Sequence, residues 1–260
     1  MIRALRTAST GMQAQQRQVE TIANNIANVN TTGFKKNRLA FRSLLYQTYR
    51  KPGAAVSKEG VDPTGLQVGT GAEVSSSIKN HMQGDLVPTA GKFDVAIKGE
   101  GFFQVAMPNG ELGFTRDGAF RINAEGELVT PDGYPVGPSG ITFPEDLDKV
   151  TIGIDGTVSY TTSSNSQSAQ AGTLGLMRFA NPAGLEAIGD NYFRETASSG
   201  TPTQVVPGQA ELRQGYLERS NVQVVDELIE LIQAQRNYEL NSRTIKVGDE
   251  MMQQVNQMVR

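Results

Sequence analysis

The chain has 260 residues, enough for one or two domains with a sizeable buried core. Its 24 lysines and arginines against 27 aspartates and glutamates give a net charge of −3, so no basic field exists to attract nucleic acid, and we expect none as a partner. One histidine, His81, and no cysteine exclude disulfides, thiolate zinc sites, cysteine nucleophiles and paired-histidine metal sites. The remaining chemistry is that of carboxylates, hydroxyls and lysines, or none at all; we expect no cofactor and no metal site.

No stretch reaches the ~18 apolar residues of a membrane span, and the start lacks the apolar core of a cleaved secretory signal. We expect no membrane insertion. Arg3, Arg6 and Arg17 precede the first acid, Glu20, and superficially resemble an organellar transit peptide. The heptad pattern of the same residues explains this segment better.

The first thirty residues carry apolar side chains at seven-residue intervals. One series is Leu5, Met12, Val19 and Ile26, and a second, offset by three, is Ala8, Gln15, Ile22 and Val29. Two such series define the seam of an amphipathic helix that must bury one stripe on another helix. Asn28, Asn30 and Gly33 tolerate left-handed backbone and predict the helix end near 28–32.

The last forty residues repeat this pattern. Their series is Val224, Leu231, Tyr238, Ile245, Met252 and Val259, and residues 220–223 (Ser-Asn-Val-Gln) resemble a capping box. A helix of about 40 residues would be about 60 Å long, which predicts an elongated molecule. The two terminal helices can pair within one chain or complete each other between copies; the two interpretations are compatible. Gln15, Glu227, Asn241 and Gly248 weaken the seam, which favours an assembly whose ends fold when subunits join.

The middle of the chain changes to a period of two, typical of strands. Turn dipeptides recur at 109–110, 117–118, 125–126, 132–133 and 155–156, as in consecutive short hairpins. The expected class is α+β: a discontinuous helical coiled-coil domain at residues 1–33 and 218–260, and a mostly β, hairpin-rich domain at 81–204. Residues 34–80 and 205–217 are expected to form an extended connecting arm, and the polar segment 161–172 a mobile loop.

Several segments resemble the bacterial flagellar rod and hook family, over the whole chain and in the same order. They are residues 23–36 (ANNIANVNTTGFKK), 99–103 (GEGFF), 115–120 (TRDGAF), 230–242 (ELIQAQRNYELNS) and 249–252 (DEMM). The motif positions carried over are Asn24, Asn25, Ile26, Ala27, Asn28, Gly33, Phe34, Gln235, Arg236, Tyr238 and Asn241.

The resemblance implies a non-enzymatic subunit that assembles with many copies of itself in the flagellar basal body. The helical domain would line an inner tube and the β domain would form its outer wall, in a rod that spans the periplasm. The implied partners are proximal rod proteins below, the hook protein above, the surrounding P and L rings, and the flagellar type III export apparatus, which exports such chains without signal cleavage. Chain length, residues 179–185 and a long arm favour the distal rod; a proximal rod or hook subunit is the alternative.

The arm is defined by aromatic residues and by turn formers: Tyr46, Tyr49, Pro52, Gly53, Pro63 and Gly65. A drive shaft must transmit torque without bending, so we expect this arm, from Tyr46 to Gly71, to lock neighbouring subunits and stiffen the rod.

Three features allow other interpretations. Asn28 and Asn30 are expected to form a turn, whereas Asn24 and Asn25, poor helix formers, are expected to bond between subunits. His81 has no companion for a metal site or a triad. The acid pairs Glu125/Glu127 and Asp146/Asp148 could mimic a glycosidase dyad, which leaves a cell-wall hydrolase as an alternative from a different class.

Overall fold

The structure is a computed structural model that describes residues 2–53, 64–137, 140–163, 165–206 and 208–258. Helix α1 (Ile2–Ala27) opens this part of the chain and helix α2 (Val224–Met258) closes it. The strands between them are β1 (Asn37–Ser43), β2 (Gln47–Arg50), β3 (Leu66–Val68), β4 (Ala72–Lys79), β5 (Leu86–Pro88), β6 (Val95–Gly99), β7 (Phe102–Ala106), β8 (Leu112–Thr115), β9 (Arg121–Ile122), β10 (Leu128–Val129), β11 (Leu147–Ile152), β12 (Thr157–Thr162), β13 (Asn165–Thr173), β14 (Leu176–Arg178), β15 (Glu186–Gly189), β16 (Tyr192–Arg194), β17 (Thr203–Gln204), β18 (Ala210–Gln214) and β19 (Tyr216–Glu218). The predicted α+β class, with terminal helices around a mostly β centre, is confirmed.

The chain divides into two compact units. The helical unit is Met1–Ile26, Asn37–Ile78 and Gln223–Arg260, and the β unit is Ala27–Lys36 and Lys79–Val222. These bounds differ from the expected domains, because residues 205–222 belong to the β unit. Strand pairing is the reason: β18 pairs with β6, and β19 pairs with β5.

The helical unit contains two small sheets besides the helices. Strand β1 neighbours β4, and β2 pairs antiparallel with β3. Helix α2 begins with Asp226 and Glu227 in its first turn, where the helix dipole favours negative charge. The predicted capping box at 220–223 is wrong, because Ser220 Oγ accepts the Val222 N–H at 3.3 Å in a separate turn before the helix.

The β unit is built around a six-stranded sheet in the order β15-β16-β8-β7-β14-β17. Phe102 and Phe103 are consecutive in β7, so their rings lie on opposite faces of the sheet. Phe103 packs edge-on against Phe120, 5.0 Å between centroids, in a core that also holds Val95, Ile97 and Leu212. Phe102 belongs to a second core of Phe114, Phe179, Leu185 and Phe193. Because both faces are buried, β7 is apolar at consecutive positions rather than alternating.

A second sheet in this unit consists of β11, β12 and β13 in that order. The prediction of a mobile loop at 161–172 is wrong, because β13 spans Asn165–Thr173 and pairs antiparallel with β12. The segment is polar and small because it is an edge strand stabilised by its backbone ladder, while Val150, Ile152 and Val158 supply the core contacts.

The predicted turn dipeptides occur in two kinds of place. Those at 109–110, 125–126 and 155–156 join β7 to β8, β9 to β10 and β11 to β12, as predicted. Gly118 instead lies where Val95 crosses it: a Cβ there would stand 1.7 Å from the Val95 carbonyl oxygen. That glycine is required for close backbone approach, not for a hairpin.

Candidate functional site

The two terminal helices approach each other at three places. A Cβ at Gly248 would lie 2.7 Å from Leu5 Cδ2, and one at Gly11 would lie 3.0 Å from Asn241 Nδ2. At the other end, Asn25 Nδ2 donates to Glu227 Oε2 at 3.0 Å. Because positions rise along α1 as they fall along α2, the helices run antiparallel.

The predicted seam residues are buried to different degrees in this helix pair. On α1, Ile22 is buried and Leu5, Met12, Val19 and Ile26 are half-buried. On α2, Leu231, Ile245 and Met252 are half-buried, whereas Val224 and Tyr238 are exposed, and Val259 lies outside the described residues. The buried residues of α2 are Glu227, Ala234 and Gly248, and the first and last of them were predicted to weaken the seam. The small residues Ala234 and Gly248 let the helices approach closely, whereas Glu227 accepts a hydrogen bond from Asn25.

Many apolar residues of α2 remain exposed along its length. Its exposed apolar residues are Val224, Val225, Leu228, Ile229, Ile232, Tyr238, Leu240, Val247, Met251, Val255 and Met258. A helix whose apolar residues are exposed along its length is stable only when another surface covers it. This surface is therefore the strongest candidate assembly site in the described part of the chain.

Asn25 joins the helix pair to the first strand. It is 2% exposed, its Nδ2 donates to Asn37 O at 2.9 Å as well as to Glu227, and its Oδ1 accepts the Asn37 N–H at 2.9 Å. The prediction that Asn25 bonds between subunits is wrong, because its amide is used within the chain; Asn24 is exposed. The turn predicted at Asn28 is confirmed by the Thr31 N–H, which donates to Asn28 O at 3.2 Å.

Replacing Asn25 with Ala is expected to lower the free energy of unfolding by about 1–3 kcal/mol, because Glu227 and the Asn37 backbone lose buried partners. Urea unfolding followed by far-ultraviolet circular dichroism measures it. Gln13→Ala, exposed on the same helix, is the matched control and should change stability by less than about 0.5 kcal/mol. Equal effects of the two substitutions would contradict a specific role for Asn25.

The other motif residues divide between the two units. Gly33 and Phe34 are buried in the β unit, and the Lys79 Nζ lies 5.5 Å from the Phe34 ring centroid. Gln235 and Arg236 are exposed on α2, Asn241 is half-buried against Gly11, and Ala27 is the exposed last residue of α1.

A buried ionic cluster includes Lys35 of the first motif, and sequence reasoning missed it. Lys35 Nζ lies 2.6 Å from Glu218 Oε1, and Arg116 Nη1 lies 3.2 Å from Glu218 Oε2. The side chains of Lys35, Arg116 and Glu218 are at most 3% exposed. Lys35 also donates to Met82 O at 2.7 Å, and Arg116 Nη2 donates to Gly99 O at 2.9 Å.

Two buried cations share one carboxylate in this cluster. Burial lowers the pKa of Lys35 and of Arg116, and the charge of Glu218 opposes that shift in both. Lys35 and Arg116 both lie inside the quoted motifs, so their position was visible in the sequence. Their common partner was not, because Glu218 is 183 residues from Lys35 along the chain.

His81 is held between aromatic rings in the same unit. Its ring centroid lies 5.6 Å from that of Phe102 and 5.4 Å from that of Phe193, both edge-on, and the imidazole donates to the Pro182 carbonyl. Its Nδ1 is buried and has no hydrogen-bond partner among the described residues. Burial first, then the charges of Lys35, Arg116 and Lys79, lower the pKa of His81 to about 4.

The depressed pKa of His81 predicts a loss of stability in mild acid. The unfolded chain binds this proton near pH 6.5 and the folded chain only near 4, so stability falls as the pH falls through that window, by about 2–3 kcal/mol. His81→Phe keeps the ring contacts and removes the titration. Urea unfolding at pH 7 and pH 4.5 should show a smaller acid loss in the variant; equal losses would contradict the prediction.

The predicted arm is a β-hairpin, here called the arm hairpin (residues 46–70, with residues 54–63, including Pro63, outside the described residues). Tyr46 and Tyr49 are 58% and 54% exposed, so much of their ring surface is not covered within one chain. Arg3 lies over the Tyr49 ring, 5.2 Å from its centroid. Pro52 and Gly53 are exposed at the start of the tip, and Gly65 lies close to Pro52.

The acid pairs of the hydrolase alternative lie in the β unit: Glu125 and Asp146 are in turns, Asp148 is in β11, and Glu127 forms a β-bridge with Thr142. Glu125, Asp146 and Asp148 are exposed and Glu127 is half-buried. Within the described ranges, no group of three or more His, Cys, Asp or Glu residues could hold a metal ion. Neither described helix has a segment apolar enough to cross a membrane.

Three family profiles match the chain, and each falls on a described feature. A flagella basal body rod protein profile matches residues 5–35, a flagellar hook protein FlgE/F/G D1 domain profile matches 96–160, and a flagellar basal body rod FlgEFG protein C-terminal profile matches 213–258. They cover α1 with the motif that follows it, part of the β unit, and α2.

Full-length relatives agree with the profiles. The flagellar basal-body rod protein FlgG of Borreliella burgdorferi is 44% identical over 100% of both chains, and that of Caulobacter vibrioides is 45% identical over 99% of both. The flagellar hook-basal body complex protein FlhP of Bacillus subtilis is 32% identical over 98% of this chain and 99% of its own. A solved chain of Helicobacter pylori flagellar hook protein FlgE2 shares 14% identity over 60% of this chain and 47% of that one, with a TM-score of 0.25, too low to support a common arrangement.

The chain belongs to the flagellar basal-body rod and hook protein family. As a member of that family it is a structural subunit of the flagellar rod, in a basal-body assembly of many subunits.

Proposed function

We propose that this chain forms the distal rod, as a non-enzymatic subunit that polymerises with many copies of itself into a rigid drive shaft from motor to hook. The exposed apolar residues along α2 carry the proposal, because a surface of that length must be covered and identical copies can cover it repeatedly. Its full-length likeness to FlgG proteins supports the distal position; a proximal rod or hook subunit is the alternative.

The proposal extends to partners and location. In a rod that spans the periplasm, proximal rod proteins lie below this subunit, the hook protein lies above it, and the P and L rings surround it. Export through the flagellar type III apparatus, without signal cleavage, fits a chain that has no cysteine, since disulfides cannot trap it in an oxidising compartment.

Electron microscopy of basal bodies from cells that lack only this chain tests the proposal. We expect a rod that stops short and carries no hook. A complete rod without a hook would make the chain a hook subunit. Intact flagella would overturn the assignment.

The arm hairpin supports the rigidity of the shaft in this proposal. The exposed residues Tyr46, Tyr49 and Leu66 give it an apolar surface that a neighbouring subunit can cover. Its ends are adjacent, because the Leu44 N–H donates to Gly71 O at 2.9 Å and Thr70 Oγ1 donates to Leu45 O at 2.7 Å. The hairpin can therefore be removed without separating β1 from β4.

Replacing residues 46–70 with two glycines is expected to give a more flexible, hook-like polymer, because each subunit loses one contact to a neighbour. Curvature of the polymer in electron micrographs measures it. A control that exchanges Tyr46 and Tyr49 for Ser keeps the hairpin and should give intermediate flexibility. A straight rod from the deletion variant would refute the stiffening role.

A further inference from the structure

An open groove lies at the end of the helical unit where α1 begins. It has a volume of about 990 Å³, and its wall includes Ile2, Arg3, Arg6, Leu44, Leu45 and Met252. Leu45 is 90% exposed and Ile2 is 74% exposed, so apolar surface lies open beside two arginines. Arg3 stacks over the Tyr49 ring, which holds its guanidinium at the rim. A ligand for this groove must offer apolar side chains and negative charge together.

The beginning of α2 has the complementary character. Val225, Leu228, Ile229 and Ile232 are exposed at helical spacing and form a stripe. Asp226 and Glu230, four residues apart and exposed, lie along one side of that stripe. The residues of α2 that face α1 near this end are Glu227 and Ala234, on the other side of the helix. The stripe with its two acids, here called the acidic stripe, is therefore free of the helix pair.

The groove and the acidic stripe lie at opposite ends of one helix pair. Leu5 approaches Gly248 beside the groove, whereas Asn25 bonds Glu227 beside the acidic stripe. Arg3 and Asn25 are twenty-two positions apart, which corresponds to about 33 Å along α1. One chain cannot fill its own groove with its own stripe over that distance.

We propose that the groove binds the acidic stripe of a second copy of this chain, with Arg3 and Arg6 paired to Asp226 and Glu230. Two different surfaces at opposite ends of the helix pair make a heterologous contact that does not close on itself, so copies add head to tail without limit. The charges set the direction of addition, because a groove facing a groove would place arginines against arginines. The inference rests on the proposed function and names the surfaces by which copies join.

The absence of native cysteine makes this contact testable in the purified full-length chain. Leu45→Cys and Ile229→Cys place thiols in the groove and on the stripe, too far apart in one chain for a disulfide, which needs Cα atoms within about 7 Å. We expect mild oxidation of the double variant to give a ladder of dimers, trimers and longer species. Leu45→Cys with Ile154→Cys, which is 67% exposed in the β unit, is the matched control and should give no ladder.

Reversing the charges then tests whether the disulfides form through the proposed pairing or through random collisions. Adding Arg3→Glu and Arg6→Glu to the double-cysteine variant should lower the ladder yield about tenfold. Adding Asp226→Arg and Glu230→Arg as well should restore most of the yield, because the opposite charges meet again. Failure of the second exchange to restore the ladder would overturn the pairing.

The other outcomes also decide the inference. No ladder above the control overturns it, and dimers from Leu45→Cys alone would mean that two grooves face each other. In basal bodies isolated from cells carrying the double variant, a disulfide to a different protein would overturn docking of a second copy. If the double variant gives no ladder but cells lacking the chain have a shortened rod, the groove contact is overturned and the proposed function stands. If the double variant gives a ladder but cells lacking the chain have intact flagella, only the proposed function is refuted.

Discussion

Replacing Glu218 with Gln is expected to lower the free energy of unfolding by about 3–5 kcal/mol. The substitution keeps the shape of the side chain but leaves Lys35 and Arg116 buried without an opposing charge. It also weakens the acceptor of the Gly84 N–H, which lies 2.9 Å from Glu218 Oε1. Breaking one member of a buried ionic group costs more than forming the group contributes, because the remaining charges cannot return to water.

The pH dependence of the Glu218→Gln defect has a definite sign. Without the carboxylate, the pKa of Lys35 falls further below its ordinary value, so the unfolded state binds the proton more readily than the folded state. Stability of the variant should therefore rise with pH as Lys35 becomes neutral, and the defect should shrink above neutral pH.

Urea unfolding measures the defect, and Glu211→Gln is the matched control. Glu211 pairs with Lys98 at 3.1 Å, but both side chains are about half exposed, so its loss should change stability little. Lys35→Met combined with Glu218→Gln should be less damaging than the sum of the two single changes, because one of the two unpaired cations is gone. A Glu218→Gln protein as stable as the Glu211→Gln control would show that the cluster is not held by charge.

Replacing Gly33 with Ala is expected to lower the free energy of unfolding by about 3 kcal/mol. Gly33 has a φ of +66°, a left-handed conformation that other residues adopt at a cost. A Cβ there would also lie 2.6 Å from the backbone nitrogen of Asp117. The Gly33 N–H donates to Glu218 O at 2.9 Å, so a shift of this turn would also disturb the strand that holds the buried carboxylate.

Gly133→Ala distinguishes the backbone cost of a positive φ from the cost of the steric contact with Asp117. Gly133 has a φ of +86°, but nothing lies within 4 Å of the position of its Cβ, so only the backbone cost of about 1 kcal/mol applies. Urea unfolding of both variants, with motility of cells carrying each, measures the difference. Similar small losses at both positions would mean that the turn at Gly33 can move aside, and would remove the proposed reason for a glycine in this motif.

Local patterns explain which predictions succeeded. The seven-residue series that begin at Leu5 and at Val224 predicted both long helices, because helical periodicity depends on residues three and four apart. Asn28 similarly marked the end of α1, because its turn contact involves a residue three positions away. The alternation around Phe102 and Phe103 predicted strand for the same reason: the pattern depends on near neighbours in the chain.

Predictions that depended on distant partners failed. Asn25 looked available for another subunit because its partners, Asn37 and Glu227, lie 12 and 202 residues away. Polar residues in β13 looked like a loop because the sequence does not show that β12 lies beside them. The signal that could have found the ionic cluster was the lysine and the arginine inside the quoted motifs, because a cation that becomes buried requires an opposing charge from somewhere in the chain.

The sequence by itself determined the helical ends, the β centre, the family and the exclusion of thiolate and paired-histidine metal sites, because composition and short-range periodicity carry that information. Only the tertiary structure decided that Lys35 and Arg116 share Glu218, that Gly118 serves a close crossing by Val95, and that Glu227 and Gly248 contact α1. The physical reason is that the burial of a residue and the identity of its partner depend on which groups lie near it in three dimensions, not on its neighbours along the chain. Residues that are polar or small, and so look unsuited to a core, are stable there only when a particular distant group stands opposite them.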